Sequence, residues 1–170
     1  MITKPSQSEY SPYYHKYVQL VPEGNIIDIL INQLVGGEKF FSNIDEEKSL
    51  FRYAENKWSI REVLGHIIDT ERIFIYRALR FSRNDPQALL SFDENYYAAN
   101  SNYKSILLAE IWKEFSFLRN SNILMFNGFT DEMWALNGIA SGNNVTVRTL
   151  PYLLAGHFIH HLNVIKERYL

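Results

Sequence analysis

Cysteine is absent from the 170 residues. Its absence excludes disulfides, thiolate metal ligands and a cysteine nucleophile, and it fits a reducing compartment. A basic excess is missing too. The formal net charge is −2, so no positive field is available to hold nucleic acid or an anionic membrane. No apolar run approaches the ~20 residues that a bilayer-spanning helix needs. Met1 to Tyr10 show no apolar stretch followed by a small-residue cleavage site, so no signal peptide is expected. These absences predict a soluble cytoplasmic protein with neither nucleic acid nor membrane as a partner.

What is present suits one domain with a sizeable core. Apolar residues make up 46% of the chain and charged residues 21%, a globular rather than a disordered balance. Aromatics reach 15%. Many of them (Tyr13, Tyr14, Tyr17, Phe40, Phe41, Tyr96, Tyr97) fall at or outside predicted helix ends, where rings can cap a core or line a cleft.

Pro5, Pro12 and Pro22, among many Ser and Tyr, mark residues 1–23 as an extended arm laid on the surface. Residues 24–170 read as a helical domain. From Asn25, Ile26, Ile29, Leu30 and Leu34 keep helical spacing to about Asn43. The second helix has the clearest start. Ser59 and Glu62 match a capping box, Trp58 precedes it as a staple residue, and Asn84-Asp85-Pro86 stops it. Residues 84–103 form a connection that at ~3.3 Å per residue can cross the whole bundle, with a short helical turn at Asp93 to Ala99. The third helix is expected from about Lys104 to Phe126, with Asn122 a polar interruption. Residues 128–146 are a second long loop holding a turn at Asp131 to Trp134 or a small hairpin across Gly142. The fourth helix starts after Thr146, with Pro151 tolerated near its first turn, and runs to the end. No strand alternation competes. The fold class is all-α, a four-helix bundle with at least one long crossover.

Histidine placement is the chemical signal. His157 and His161 are four apart, so they share one helical face with Cβ atoms about 5–6 Å apart. At ~100° per residue, His161 lies near the centre of the apolar stripe, His157 within roughly 40° of it, and His160 at the edge. His66 lies roughly 120° from the apolar centre of its own helix, on a ribbon with Ser59, Glu62, Thr70 and Arg77. Such a ribbon marks a solvated face or a polar cleft. Gly65 and Gly156 each precede a proposed ligand in mid-helix, where glycine costs about 1 kcal/mol relative to alanine. Close helix approach or room for a ligand would explain both. Three neutral imidazoles from two helices would make a divalent-metal site with an open position. Taken alone, a His-x3-His pair is more often structural than metal-binding. Glu62 and Arg77 read most simply as solvated charges, and Trp58, Trp112 and Trp134 as packing anchors.

The run Trp58-Ser59-Ile60-Arg61-Glu62-Val63-Leu64-Gly65-His66-Ile67-Ile68-Asp69-Thr70-Glu71-Arg72, followed by Tyr76-Arg77-Ala78-Leu79-Arg80, resembles the second-helix signature of DinB/YfiT-like proteins. Phe92-Asp93 with Tyr96 resembles their crossover, and Ala155 to His161, ending Glu167-Arg168-Tyr169-Leu170, resembles their last helix. The resemblance covers residue 20 to the end. It implies an up-down-down-up bundle with the crossover between the second and third helices. It implies a metal, often zinc or nickel, on the positions matching His66, His157 and His161, with His160 not a ligand. It implies a homodimer. Phe158 stands where the related motif usually carries an acidic residue.

An ion on three histidines can lower the pKa of bound water to about 7, or hold a thiol as thiolate. The superfamily resembled includes S-transferases using small cellular thiols, a maleylpyruvate isomerase, and proteins described only as metal-dependent hydrolases. The chain is therefore expected to activate a low-molecular-weight thiol or water for a small-molecule substrate. Glu62 is the candidate proton acceptor, Arg77 the candidate seat for an anionic substrate group, and Tyr53 and Trp58 the candidate mouth. The alternatives are a non-catalytic or stress-associated metal-binding module, and a plain bundle without metal that acts through a dimer interface.

Overall fold

The computed structural model describes residues 2–170. Four long helices carry the molecule: α2 (Ile26–Phe41), α3 (Ile60–Ser82), α5 (Leu108–Asn127) and α7 (Thr149–Arg168). Helices α2 and α3 each pack against both α5 and α7. Between and before them lie α1 (His15–Val18), α4 (Glu94–Asn100), α6 (Asp131–Ala135) and a hairpin of β1 (Asn137–Ala140) and β2 (Asn143–Thr146).

Local chemistry sets the helix ends. The Asn25 side chain accepts from the Ile27 N–H to open α2, and Asp93 caps α4 through the N–H groups of Asn95 and Tyr96. Ser59 and Glu62 complete the capping box of α3: the Ser59 N–H donates to Glu62 Oε2 at 2.7 Å, and the Ser59 side chain accepts from the Glu62 N–H. Leu107, at the N-cap of α5, supplies no side-chain bond. The Glu46 carboxylate accepts from the Leu108 N–H at 3.0 Å instead. That contact from outside the helix is why α5 starts at Leu108 and not at Lys104. Lys104 sits in a 3₁₀ turn over Tyr103–Ser105, and the Tyr103 ring lies against Gly65.

The hairpin across Gly142 is present. Ser141 and Gly142 both take positive φ, 53° and 75°, as a two-residue type I′ turn requires. Leu89, in the connection after α3, hydrogen-bonds to Ile139 and Ser141 and anchors the hairpin over that end of α3. Residues 2–23, read from sequence as an extended surface arm, carry 3₁₀ turns and α1, and bury Tyr10, Tyr17, Val18 and Val21. Helix α1 packs on α7, so this segment reaches the middle of the bundle.

Candidate metal centre

His66 comes from the first half of α3, His157 and His161 from the middle of α7, and the two helices pack directly. The Nε2 atoms of His66 and of His161 each lie 3.0 Å from Nε2 of His157. All three donor nitrogens fall within 4.8 Å of one another. Two nitrogens bound at ~2.0–2.1 Å to one ion, at angles between square and tetrahedral, stand roughly 2.9–3.4 Å apart. The two 3.0 Å separations fit that requirement. Among the described residues no further His, Cys, Asp or Glu joins the group.

The electrostatics favour the ligand form of the rings. Burial, with a neighbouring His160 adding to it, pushes His66 down to about 4. Burial likewise holds His157 and His161 well below the ordinary histidine range. All three are neutral at pH 7, as nitrogen ligands must be. Thr70 Oγ1, one turn on from His66, stands 3.5 Å from its Nδ1. The Trp58 ring lies 4.8 Å from the His66 ring, and the Tyr17 ring 5.4 Å from that of His157.

The three histidines wall a cavity of about 370 Å³. Its other walls include Tyr14 and Tyr17 from the N-terminal segment, Trp58, Thr70, Phe74 and Arg77 from around α3, Phe92 before α4, and Ser141 and Asn143 from the hairpin. Arg77 thus shares the cavity with the histidines. Trp58 also does, whereas Tyr53 lines a neighbouring recess with His160 and His161. Glu62 is not in the wall. Its carboxylate accepts from the Ser59 N–H and hydroxyl and from Arg52. Burial raises its pKa, but those three donors outweigh it and hold the group below the usual range. Phe158, at the position usually acidic in the related motif, stacks on Phe115 with centroids 5.3 Å apart. It turns into the core and offers the histidines no acceptor.

Sequence reasoning did not single out Thr70, Phe74, Phe92, Ser141 or Asn143 as wall residues. Thr70 lies on the same ribbon as His66 and was detectable by period. The hairpin residues arrive only through tertiary folding. The tyrosines of the N-terminal segment carried a compositional signal, since aromatics outside helix ends line clefts.

A profile of the DinB superfamily matches residues 38–165. No curated protein matches the sequence. Among solved structures, YfiT from Bacillus subtilis, described as a probable metal-dependent hydrolase with an unusual four-helix bundle topology, is 17% identical. The match has a TM-score of 0.72 and covers 97% of this chain and 90% of that one. The mycothiol-dependent maleylpyruvate isomerase is 8% identical with a TM-score of 0.68, over 85% of this chain and 61% of that one. At these identities the likeness carries the fold.

Proposed function

The chain belongs to the DinB superfamily, and on that premise we propose that it is an enzyme holding a divalent metal, zinc or nickel, on His66, His157 and His161. The reaction we assign is activation of a small thiol, as in an S-transferase, or of water, as in a hydrolase. One observation carries this reading: three ring nitrogens converge on the wall of an open cavity without a fourth His, Cys, Asp or Glu among the described residues. A catalytic ion needs such an open side, and a closed structural site lacks it. When bound, the ion would supply a water of pKa about 7 or a stabilised thiolate.

The residues around it take distinct parts. Thr70 lies beside Nδ1 of His66 and favours the ring orientation that points Nε2 at the centre. Tyr14, Trp58 and Phe74 shed water from the cavity and strengthen every polar contact inside it. Arg77 orients the substrate. Glu62, engaged by three donors, serves the start of α3 rather than proton transfer. The same reading takes the long helices as up-down-down-up, with residues 83–107 as the crossover. It also includes a homodimer, for which Val35 of α2 and Phe117 and Leu124 of α5 offer large exposed apolar side chains; light scattering tests that part.

The test of the metal is elemental analysis of protein purified without a histidine tag. His157→Ala should lose stoichiometric metal while far-ultraviolet circular dichroism keeps its helical form. Full metal retention in that variant would overturn the assignment. Assays of thiol conjugation and of hydrolysis on the loaded protein then separate the two chemistries.

A further inference from the structure

Arg77 is 3% exposed, yet no carboxylate lies within ion-pair distance of it among the described residues. Only its Nη2 has protein acceptors, the Leu90 carbonyl at 3.1 Å and the Ser141 hydroxyl at 3.0 Å. Its Nε and Nη1 have none among the described residues. No fully buried side-chain nitrogen there lacks a partner, so these two nitrogens keep some open surface, and Arg77 lines the cavity of the histidines.

A buried cation without a counter-ion is costly, by several kcal/mol. The fold nevertheless holds this one in place. Ser141, one of its two acceptors, sits at φ 53°, in the left-handed region that a side-chain-bearing residue seldom adopts. The hairpin that presents Ser141 is itself pinned by Leu89.

Position adds the ligand's shape. Arg77 is eleven residues after His66 on α3, three turns along and within roughly 20° of the same face. Side chains lean toward the helix N-terminus, and the guanidinium lies over the Phe74 ring at 5.6 Å, back toward the histidines. Between them the wall carries aromatic rings, Tyr14 against Phe74 at 5.9 Å and Trp58 against His66, with Thr70 beside His66 as a polar member. The one acid in the wall, Glu94, is exposed.

We propose that Arg77 seats the carboxylate of a ligand whose apolar, ring-sized body lies along Phe74, Tyr14 and Trp58 with its far end at the three histidines. The substrate class is then an aryl or similarly apolar monocarboxylate. A single guanidinium matches one negative charge, and with Nη2 engaged its Nε and Nη1 each offer a single charge-assisted bond to a carboxylate oxygen. The inference rests on the cavity assigned above as the reaction site.

The probes are 3-phenylpropionate, 4-phenylbutyrate and 5-phenylpentanoate, each with its primary amide, titrated calorimetrically into the untagged wild type and into Arg77→Gln and Arg77→Lys. At least one acid should bind the wild type roughly tenfold or more tightly than its amide. Arg77→Gln should erase that preference with metal content unchanged, and Arg77→Lys should keep part of it. Equal binding of acid and amide to the wild type, or no binding by any acid, overturns the proposal. So does a folded Arg77→Gln protein that keeps the preference, because the carboxylate would then sit on the metal. If Arg77→Gln fails to fold, the same titration of chelator-stripped wild type decides: the acid preference should persist without the ion, and its loss there overturns the proposal. Metal content measured on the same samples separates failure of the metal centre from failure of the anion seat.

Discussion

At Gly156 packing overrules helix propensity. A mid-helix glycine costs about 1 kcal/mol relative to alanine, so Gly156→Ala would ordinarily stabilise α7. A Cβ there would lie 2.1 Å from the carbonyl oxygen of Tyr17, and backbone cannot swing aside as a long side chain can. We expect Gly156→Ala to destabilise the protein by about 1–3 kcal/mol in urea unfolding, as overpacking does. A gain in stability would show the contact between α1 and α7 to be slack. Gly65 is tight for a related reason, since its Cβ would meet the Tyr103 ring at 2.1 Å. The sequence marked both glycines as sites of close approach or of room for a ligand, and close approach is the answer at each. The partners were illegible because Tyr17 and Tyr103 lie far away in the chain. The histidine trio was legible because helical period alone set His157 and His161 on one face. His66 lies off its apolar stripe because α3 is buried on two sides, against the core and against the cavity wall. Ser141 left no trace in the sequence, because its contact with Arg77 exists only once the hairpin folds over α3.

Each long helix crosses a polar layer. The apolar side chains form two clusters, one around Leu30, Phe74, Phe126 and Leu150, the other around Phe41, Leu64, Phe115 and Ile165. Between them along the helices stand Gln33, Glu71, Arg119, Asn122 and His157. Arg119 donates to both oxygens of Glu71, at 2.7 and 2.6 Å, and to Gln33; Asn122 donates to Glu71; Gln33 donates to the Ala155 carbonyl, two residues before His157. The ion pair is fully buried, with both side chains at most 1% exposed. Removing one partner strands a charge, so Arg119→Met should cost about 3–5 kcal/mol. Replacing both, as Glu71→Leu with Arg119→Met, should cost less than the sum of the single changes, because the stranded charge goes too. A denaturant double-mutant cycle reads the coupling, and strict additivity would reduce the pair to two independent contacts. Of this layer the sequence announced His157, as a candidate ligand, and Asn122, as a polar interruption of an apolar stripe. Glu71 and Arg119 are separated by 48 residues, so no local pattern pairs them. The helix boundaries fared better, since capping chemistry is local. The start of α5 was the exception, because its cap comes from Glu46 on a distant loop.

One acid gathers most of the polar ties between the N-terminal segment and the rest of the molecule. Glu9 accepts from Arg148 Nε and Nη2, both at 2.6 Å, and from the Thr146 hydroxyl, joining residues 2–23 to β2 and to the start of α7. Burial raises its pKa, but Arg148, the Ser6 N–H and the Thr146 and Ser6 hydroxyls outweigh burial and bring it to about 2. A carboxylate that titrates lower folded than unfolded stabilises fully above its unfolded pKa, near 4.5, and loses that contribution as pH falls toward 2. The histidines act with the same sign in a higher window. Their folded values are depressed, His66 to about 4 from 6.5, so the unfolded chain binds protons more readily and stability falls as pH drops below about 6.5. The metal-free protein should therefore melt at progressively lower temperature in two steps, one between roughly pH 6.5 and 4 and one below 4.5. His66→Ala should shrink the first step, leaving the share of His157 and His161, and should not touch the second. Glu9→Gln should shrink the second, to which Glu62 also contributes, and should release the segment that carries Tyr14 and Tyr17 to the cavity wall, seen as faster proteolysis within residues 2–23. A second step that survives Glu9→Gln unchanged would mean that other carboxylates govern acid unfolding and that the segment is held by its buried tyrosines and valines instead.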